Sequence, residues 1–141
     1  MRISLILFTI ITLQLSSNVI LADTIEIEFT ENDSYSVEVA RINVGDTIKW
    51  LPKNEGHNVE FLAGPEMTSL PKKSKIDEAF SVMFTVPGVY LYQCTPHGNN
   101  GMLGLIIVNN DFHNIGKVRK IQLSTVASSV LARLIRIARG S

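Results

Sequence analysis

The stretch Val89-Tyr90-Leu91-Tyr92-Gln93-Cys94-Thr95-Pro96-His97-Gly98-Asn99-Asn100-Gly101-Met102-Leu103-Gly104-Leu105-Ile106-Ile107-Val108 decides the fold. Its two apolar runs, Val89–Tyr92 and Leu103–Val108, are too short for ordinary helices and read as strands buried on both faces, or nearly so. Between them, Pro96, Gly98, Asn99, Asn100 and Gly101 enforce a tight connection. That connection carries a thiol at Cys94, an imidazole three residues later at His97 and a thioether eight residues later at Met102. On so short a loop, all three can face one point.

Upstream, apolar and polar residues alternate with period 2 in short segments: Ile25-Ile27-Phe29, Val37-Val39, Ile48-Trp50, Val59-Phe61 and Phe80-Val82-Phe84. Turn residues separate them at Glu31-Asn32-Asp33, Val44-Gly45-Asp46, Asn54-Glu55-Gly56 and Pro87-Gly88. Seven short strands so punctuated predict an all-β protein, a β-sandwich with Greek-key connections.

The two ends read differently. Residues 1–22 combine Arg2, an apolar run from Leu5 to Leu13, a polar stretch from Gln14 to Asn18, and Ala22 before Asp23. This is the layout of a secretory signal peptide, and the polar stretch breaks the run too early for a membrane-spanning helix. Cleavage after Ala22 is expected. Residues 23–110, the expected sandwich domain, hold six basic and twelve acidic residues, a net of −6, whereas residues 111–141 hold six basic residues and one acidic, a net of +5. In this basic C-terminal extension Leu123, Val126, Ala127, Val130, Leu131, Leu134 and Ala138 recur at helical spacing, with Arg133, Arg136 and Arg139 elsewhere on the wheel. A basic amphipathic helix is expected, docked on the acidic sandwich rather than lying on an anionic membrane, with Gly140-Ser141 as a frayed end.

The whole chain has 141 residues with thirteen basic and thirteen acidic side chains, which excludes a uniformly basic nucleic-acid binder. Its single cysteine excludes an intramolecular disulfide, a Cys-rich zinc site and an iron–sulfur cluster. Each donor alone has an ordinary reading: a lone Cys as a small buried hydrophobe, a turn His as a solvated residue, Met102 as core. A Cys94–His97 nucleophile pair only three residues apart on one tight loop is not a usual protease layout. Taken together with His57, after Glu55-Gly56 and at the head of the Val59–Phe61 segment, the donors are two imidazoles, one thiolate and one thioether. That set describes a type 1 copper site: soft sulfur favours Cu(I), and imidazole also suits Cu(II). A stiff β scaffold limits ligand movement between the two states. Met67, Met83 and His113 read as loop or surface residues.

The chain resembles the small blue copper proteins, the cupredoxins, and most closely the pseudoazurins. The resemblance rests on Ala22-Asp23-Thr24-Ile25-Glu26, Gly45-Asp46-Thr47, Gly56-His57-Asn58-Val59-Glu60, Lys73-Ser74-Lys75-Ile76, Pro87-Gly88-Val89-Tyr90 and Cys94-Thr95-Pro96-His97. Gly101-Met102 makes the ligand loop read equally like plastocyanin. The resemblance implies one copper ion held by His57, Cys94, His97 and Met102, with Asn58 tying the His57 loop to Thr95. It further implies a monomeric one-electron carrier, not an enzyme, exported to the periplasm and docking transiently with redox proteins such as a copper nitrite reductase or a cytochrome. Glu55 and Gln93 stand where pseudoazurins often carry lysine, which leaves the charge of the partner open. Two rival functions stay open on the sequence: periplasmic copper storage or delivery, and a metal-free immunoglobulin-like interaction module.

Overall fold

The computed structural model describes residues 21–140; all but the last two residues of the expected leader lie outside them. Seven strands form two sheets. β1 (Thr24–Glu28), β3 (Thr47–Leu51) and β5 (Phe80–Met83) make a three-stranded sheet in the order β1-β3-β5. β2 (Val39–Ile42), β7 (Leu103–Val108), β6 (Gly88–Gln93) and β4 (Glu60–Ala63) make a four-stranded sheet in the order β2-β7-β6-β4. β1 runs parallel to β3 and β2 parallel to β7, while the other pairs are antiparallel. Such non-sequential pairing across two facing sheets is the expected sandwich.

Period-2 alternation explains where each side chain goes. On β3, Ile48 and Trp50 turn inward and pair in register with Ile25 and Ile27 of β1. On β6, Tyr90 and Tyr92 enter the core between the sheets, with Ile27, Phe29, Trp50, Phe61 and Phe84. The alternate residues Val89 and Leu91 belong to a second core on the outer face of the same sheet, with Leu103, Leu105 and Ile107 of β7. The four-stranded sheet therefore has an apolar layer on each side, which is why β6 and β7 read as doubly buried strands. Gly104 makes room for this packing, since a side chain there would collide with the Tyr92 ring.

The outer layer is helical. α1 (Ile115–Val118) inserts Val118, and α2 (Thr125–Arg139) buries Ala127, Leu131, Leu134, Ile135 and Ala138. Full burial of a leucine or isoleucine side chain contributes about 1.5–3 kcal/mol before the entropy cost of ordering it. Ser124 caps α2 by accepting from the Ala127 N–H at 3.1 Å. Arg133 reaches back to Glu38 with two bonds of 2.8 and 2.9 Å, joining the basic helix to the acidic sandwich. The tail is docked, as expected, and no helix among the described residues is long and apolar enough to cross a membrane.

Three sequence expectations need correction. Val126 is 54% exposed rather than part of the docked stripe, and Ile135 takes a place in it. The helix begins at Thr125, and its phase turns Val126 outward. Gly140 is not a frayed end: in left-handed backbone at φ 74°, it ends α2 by donating to the Arg136 and Ile137 carbonyls. Val59 precedes β4, because its N–H is drawn away to the Ser74 hydroxyl at 2.9 Å.

Candidate metal centre

The loop after β6 folds back on its own backbone. The Cys94 carbonyl accepts from His97 N–H at 3.2 Å and Gly98 N–H at 2.7 Å, Met102 N–H donates to the His97 carbonyl at 3.2 Å, and Cys94 N–H donates to the Met102 carbonyl at 3.1 Å. These bonds draw residues 94, 97 and 102 together, as their spacing in sequence suggested. Gly101 sits at φ 99°, and the Val130 side chain of α2 occupies the space a side chain there would need. The Ser124 hydroxyl donates to the Asn99 carbonyl at 2.6 Å, so the start of α2 braces this loop from outside.

His57 comes from the β3–β4 loop. Its backbone is held by Asp77, whose carboxylate accepts from Gly56 N–H at 2.6 Å and His57 N–H at 3.3 Å, while Asp77 N–H returns a bond to the His57 carbonyl at 2.9 Å. Asn58 then locks this loop to the ligand loop: its Oδ1 accepts from Thr95 N–H at 2.7 Å and its Nδ2 donates to Thr95 Oγ1 at 2.9 Å. The tie implied by the resemblance is present. Behind it, the Tyr35 hydroxyl donates to the Asn58 carbonyl at 2.8 Å, and Glu60 accepts from Thr95 Oγ1 at 2.8 Å and Gln93 Nε2 at 3.1 Å.

The outcome is a triangle of donor atoms. His57 Nδ1 lies 3.7 Å from Cys94 Sγ, His97 Nδ1 lies 3.5 Å from Cys94 Sγ, and the two Nδ1 atoms are 3.1 Å apart. Two atoms bound to one ion at about 2.0–2.3 Å each can stand at most about 4–4.5 Å apart, and all three separations fall inside that limit. The residues fit a single metal ion. Cys94 and His57 are buried, whereas His97 keeps 26% of its side chain exposed and forms the edge of the site toward solvent. Met102 is fully buried in the same core cluster as Cys94.

Burial shapes the protonation of the metal-free site. It raises the Cys94 pKa above its ordinary value, against the opposing effect of the Asn58 and His97 backbone N–H groups. It also lowers the His57 pKa, helped by the adjacent His97 and opposed by Asp33 and Asp77. At neutral pH the metal-free protein therefore holds a Cys94 thiol and a neutral His57. Loading Cu(II) must displace the thiol proton, so about one proton should be released per ion near pH 7–8, and apparent affinity should climb about tenfold per pH unit. Calorimetry in buffers of different ionisation enthalpy measures this; an enthalpy independent of buffer would refute it.

The sequence comparisons agree with the geometry. Residues 23–109 match the model of the copper-binding proteins of the plastocyanin/azurin family. The chain belongs to this family. A pseudoazurin of Methylorubrum extorquens is 36% identical over 86 residues, covering 60% of this chain and 57% of that protein. A plastocyanin of Prochlorothrix hollandica is 33% identical over 116 residues, covering 75% and 88%. Among solved structures, a pseudoazurin from a Sinorhizobium superposes with a TM-score of 0.76 at 28% identity, covering 86% of this chain and 100% of that one. The chain spans about three fifths of the length of the curated pseudoazurins it matches.

Within this family member, Met83 is largely exposed, Met67 lies in an exposed 3-10 turn, and His113 pairs with Asp111 at the surface, the loop and surface positions expected of them. Sequence reasoning did not single out Asp33, Asp77 or Glu60. Asp77 lies 20 residues from His57, and only the folded loops reveal their contact.

Proposed function

We propose that the chain carries single electrons through one type 1 copper ion bound by His57, Cys94 and His97, with Met102 as a weak fourth ligand. The observation that carries this reading is the Nδ1–Nδ1–Sγ triangle, buried at His57 and Cys94 and reaching solvent at His97, which is braced by hydrogen bonds outside the donors themselves. A bound copper ion supplies the one-electron Cu(II)/Cu(I) couple. The chain's part is to hold the donors nearly still between the two states: Asn58 and Thr95 fix one loop to the other, and Asp77 fixes the His57 backbone. Phe29, edge-on to His57 at 5.8 Å between ring centres, helps exclude water. His97 offers the route to the surface, where its side chain is part exposed beside the exposed, uncharged Thr95 and Pro96. Small, weakly polar surfaces of this kind suit brief redox encounters.

With four protein ligands the ion would have no position left for a substrate, which favours a carrier over an enzyme. Burial of Cys94, His57 and Met102 likewise speaks against handing copper on to another protein. The leader-like residues 1–22 support export to the periplasm, where a lone thiol is protected by burial or by a metal.

One equivalent of Cu(II) should develop an intense visible band that a one-electron reductant bleaches and an oxidant restores. Met102→Gln replaces a soft sulfur with a harder oxygen, so it should keep a band but lower the reduction potential. A titration giving no strong band would overturn the type 1 assignment. A Met102→Gln protein with unchanged potential and spectrum would return Met102 to the core.

A further inference from the structure

Asp33 stands opposite the donor triangle. Its Oδ1 lies 3.7 Å from His57 Nε2 and 3.9 Å from His97 Nε2, so one carboxylate oxygen addresses the far nitrogens of both imidazoles. The β1–β2 turn places it there. Thr30 N–H donates to the Ser34 carbonyl at 2.9 Å, the Thr30 and Ser34 hydroxyls share a 2.6 Å bond, and Phe29 pairs with Tyr35 across the turn. Asp33 itself adopts left-handed backbone at φ 50°, a conformation Asp tolerates better than most residues. Three separate loops, carrying Asp33, His57 and His97, thus converge on the same small volume.

From this geometry we propose that Asp33 is a positioning residue for the copper centre, which sets both the histidine tautomer and the preference for the oxidised ion. The inference rests on the copper reading above. An imidazole that gives Nδ1 to a metal must carry its proton on Nε2, and a carboxylate facing Nε2–H stabilises that tautomer. Its negative charge favours the centre more when the ion is Cu(II) than when it is Cu(I). Asp33 therefore holds the reduction potential below the value the four ligands alone would give. Its side chain is 55% exposed, so solvent screens the effect and keeps it moderate.

The test compares the full chain, Asp33→Asn and Glu31→Gln. Asn retains the shape of Asp and its tolerance of φ 50°, and Glu31→Gln removes the same charge from an exposed neighbour on the same turn. Dissociation constants for Cu(II) and for Cu(I), measured by chelator competition, give the ratio of the two affinities independently of any electron-transfer assay. Asp33→Asn should lower the Cu(II)-to-Cu(I) affinity ratio about tenfold, the low end of outer-shell effects, and raise the reduction potential to match. Glu31→Gln should change the ratio less than about twofold, because Glu31 is exposed and pairs with neither imidazole, so water screens its charge. An Asp33→Asn protein with native circular dichroism, a native visible band and the wild-type ratio would overturn the role of Asp33 and leave the copper reading intact. An equal change in Glu31→Gln would also overturn it, as a general charge effect. If the unaltered chain developed no visible band with copper, both readings would fall together.

Discussion

Cys94→Ser should abolish the intense visible band and weaken copper binding by several orders of magnitude. Cys94 is the only cysteine in the chain, so no second thiolate can replace it. Its Sγ contributes two of the three edges of the donor triangle, at 3.7 and 3.5 Å. A serine hydroxyl in its place is hard, stays protonated at neutral pH and binds Cu(I) poorly. Stability of the metal-free protein should fall by about 1–3 kcal/mol, since the site is buried and His97 Nδ1, His57 Nδ1 and the Gly56 carbonyl, at 3.5, 3.7 and 4.0 Å from Sγ, lie beyond good hydrogen-bond reach of the shorter hydroxyl. The measurement is a visible spectrum and a copper affinity for each form. An intensely blue Cys94→Ser protein would remove the central claim about this site.

The second large effect is on folding rather than colour. Leu134→Ala should cost about 2–5 kcal/mol of stability, the usual range for emptying a well-packed leucine site. Leu134 is fully buried in the layer that α2 forms on Val89, Leu91, Leu103, Leu105 and Ile107. Denaturant unfolding would show the loss as a lower midpoint. The copper band of the folded fraction should persist, because the donors lie on the other face of the sheet, among Tyr92, Phe29 and Met102. A loss under about 1 kcal/mol would mean that the helix sits loosely on the sheet rather than completing its core.

Much of this architecture was legible in the sequence because strand periodicity is a local property. Ile25-Ile27, Ile48-Trp50 and Tyr90-Tyr92 needed only alternation to point inward, and the doubly apolar run Leu103–Val108 needed only its composition to demand a covering layer on each side. The ligand loop was equally local, since Cys94, His97 and Met102 lie within nine residues of one another. Where the reading failed, the cause was non-local. Val126 and Ile135 exchange roles because the phase of α2 is set by the Ser124 cap and by the sheet beneath, neither of which hydrophobic spacing reveals. Gly140 serves as a cap through bonds to Arg136 and Ile137, whereas a Gly-Ser pair looks like an unstructured end. The contributions of Asp33 and Asp77 were hidden for the same reason: an exposed acid in a turn carries no sign of what a distant loop brings beside it.

The Asn58–Thr95 bonds and the His57–Cys94 approach join parts of the chain 37 positions apart. Closing a loop of that length costs chain entropy before its contacts repay it. The pocket should therefore be completed with the sandwich rather than nucleate it. Copper held across that gap would bind a shape already made, and its main kinetic effect would fall on the way out. Unfolding would have to break the ion's bond to His57 before the two loops could part, so the loaded protein should outlast the empty one by its slower rate of opening, more than by any gain in the speed of folding.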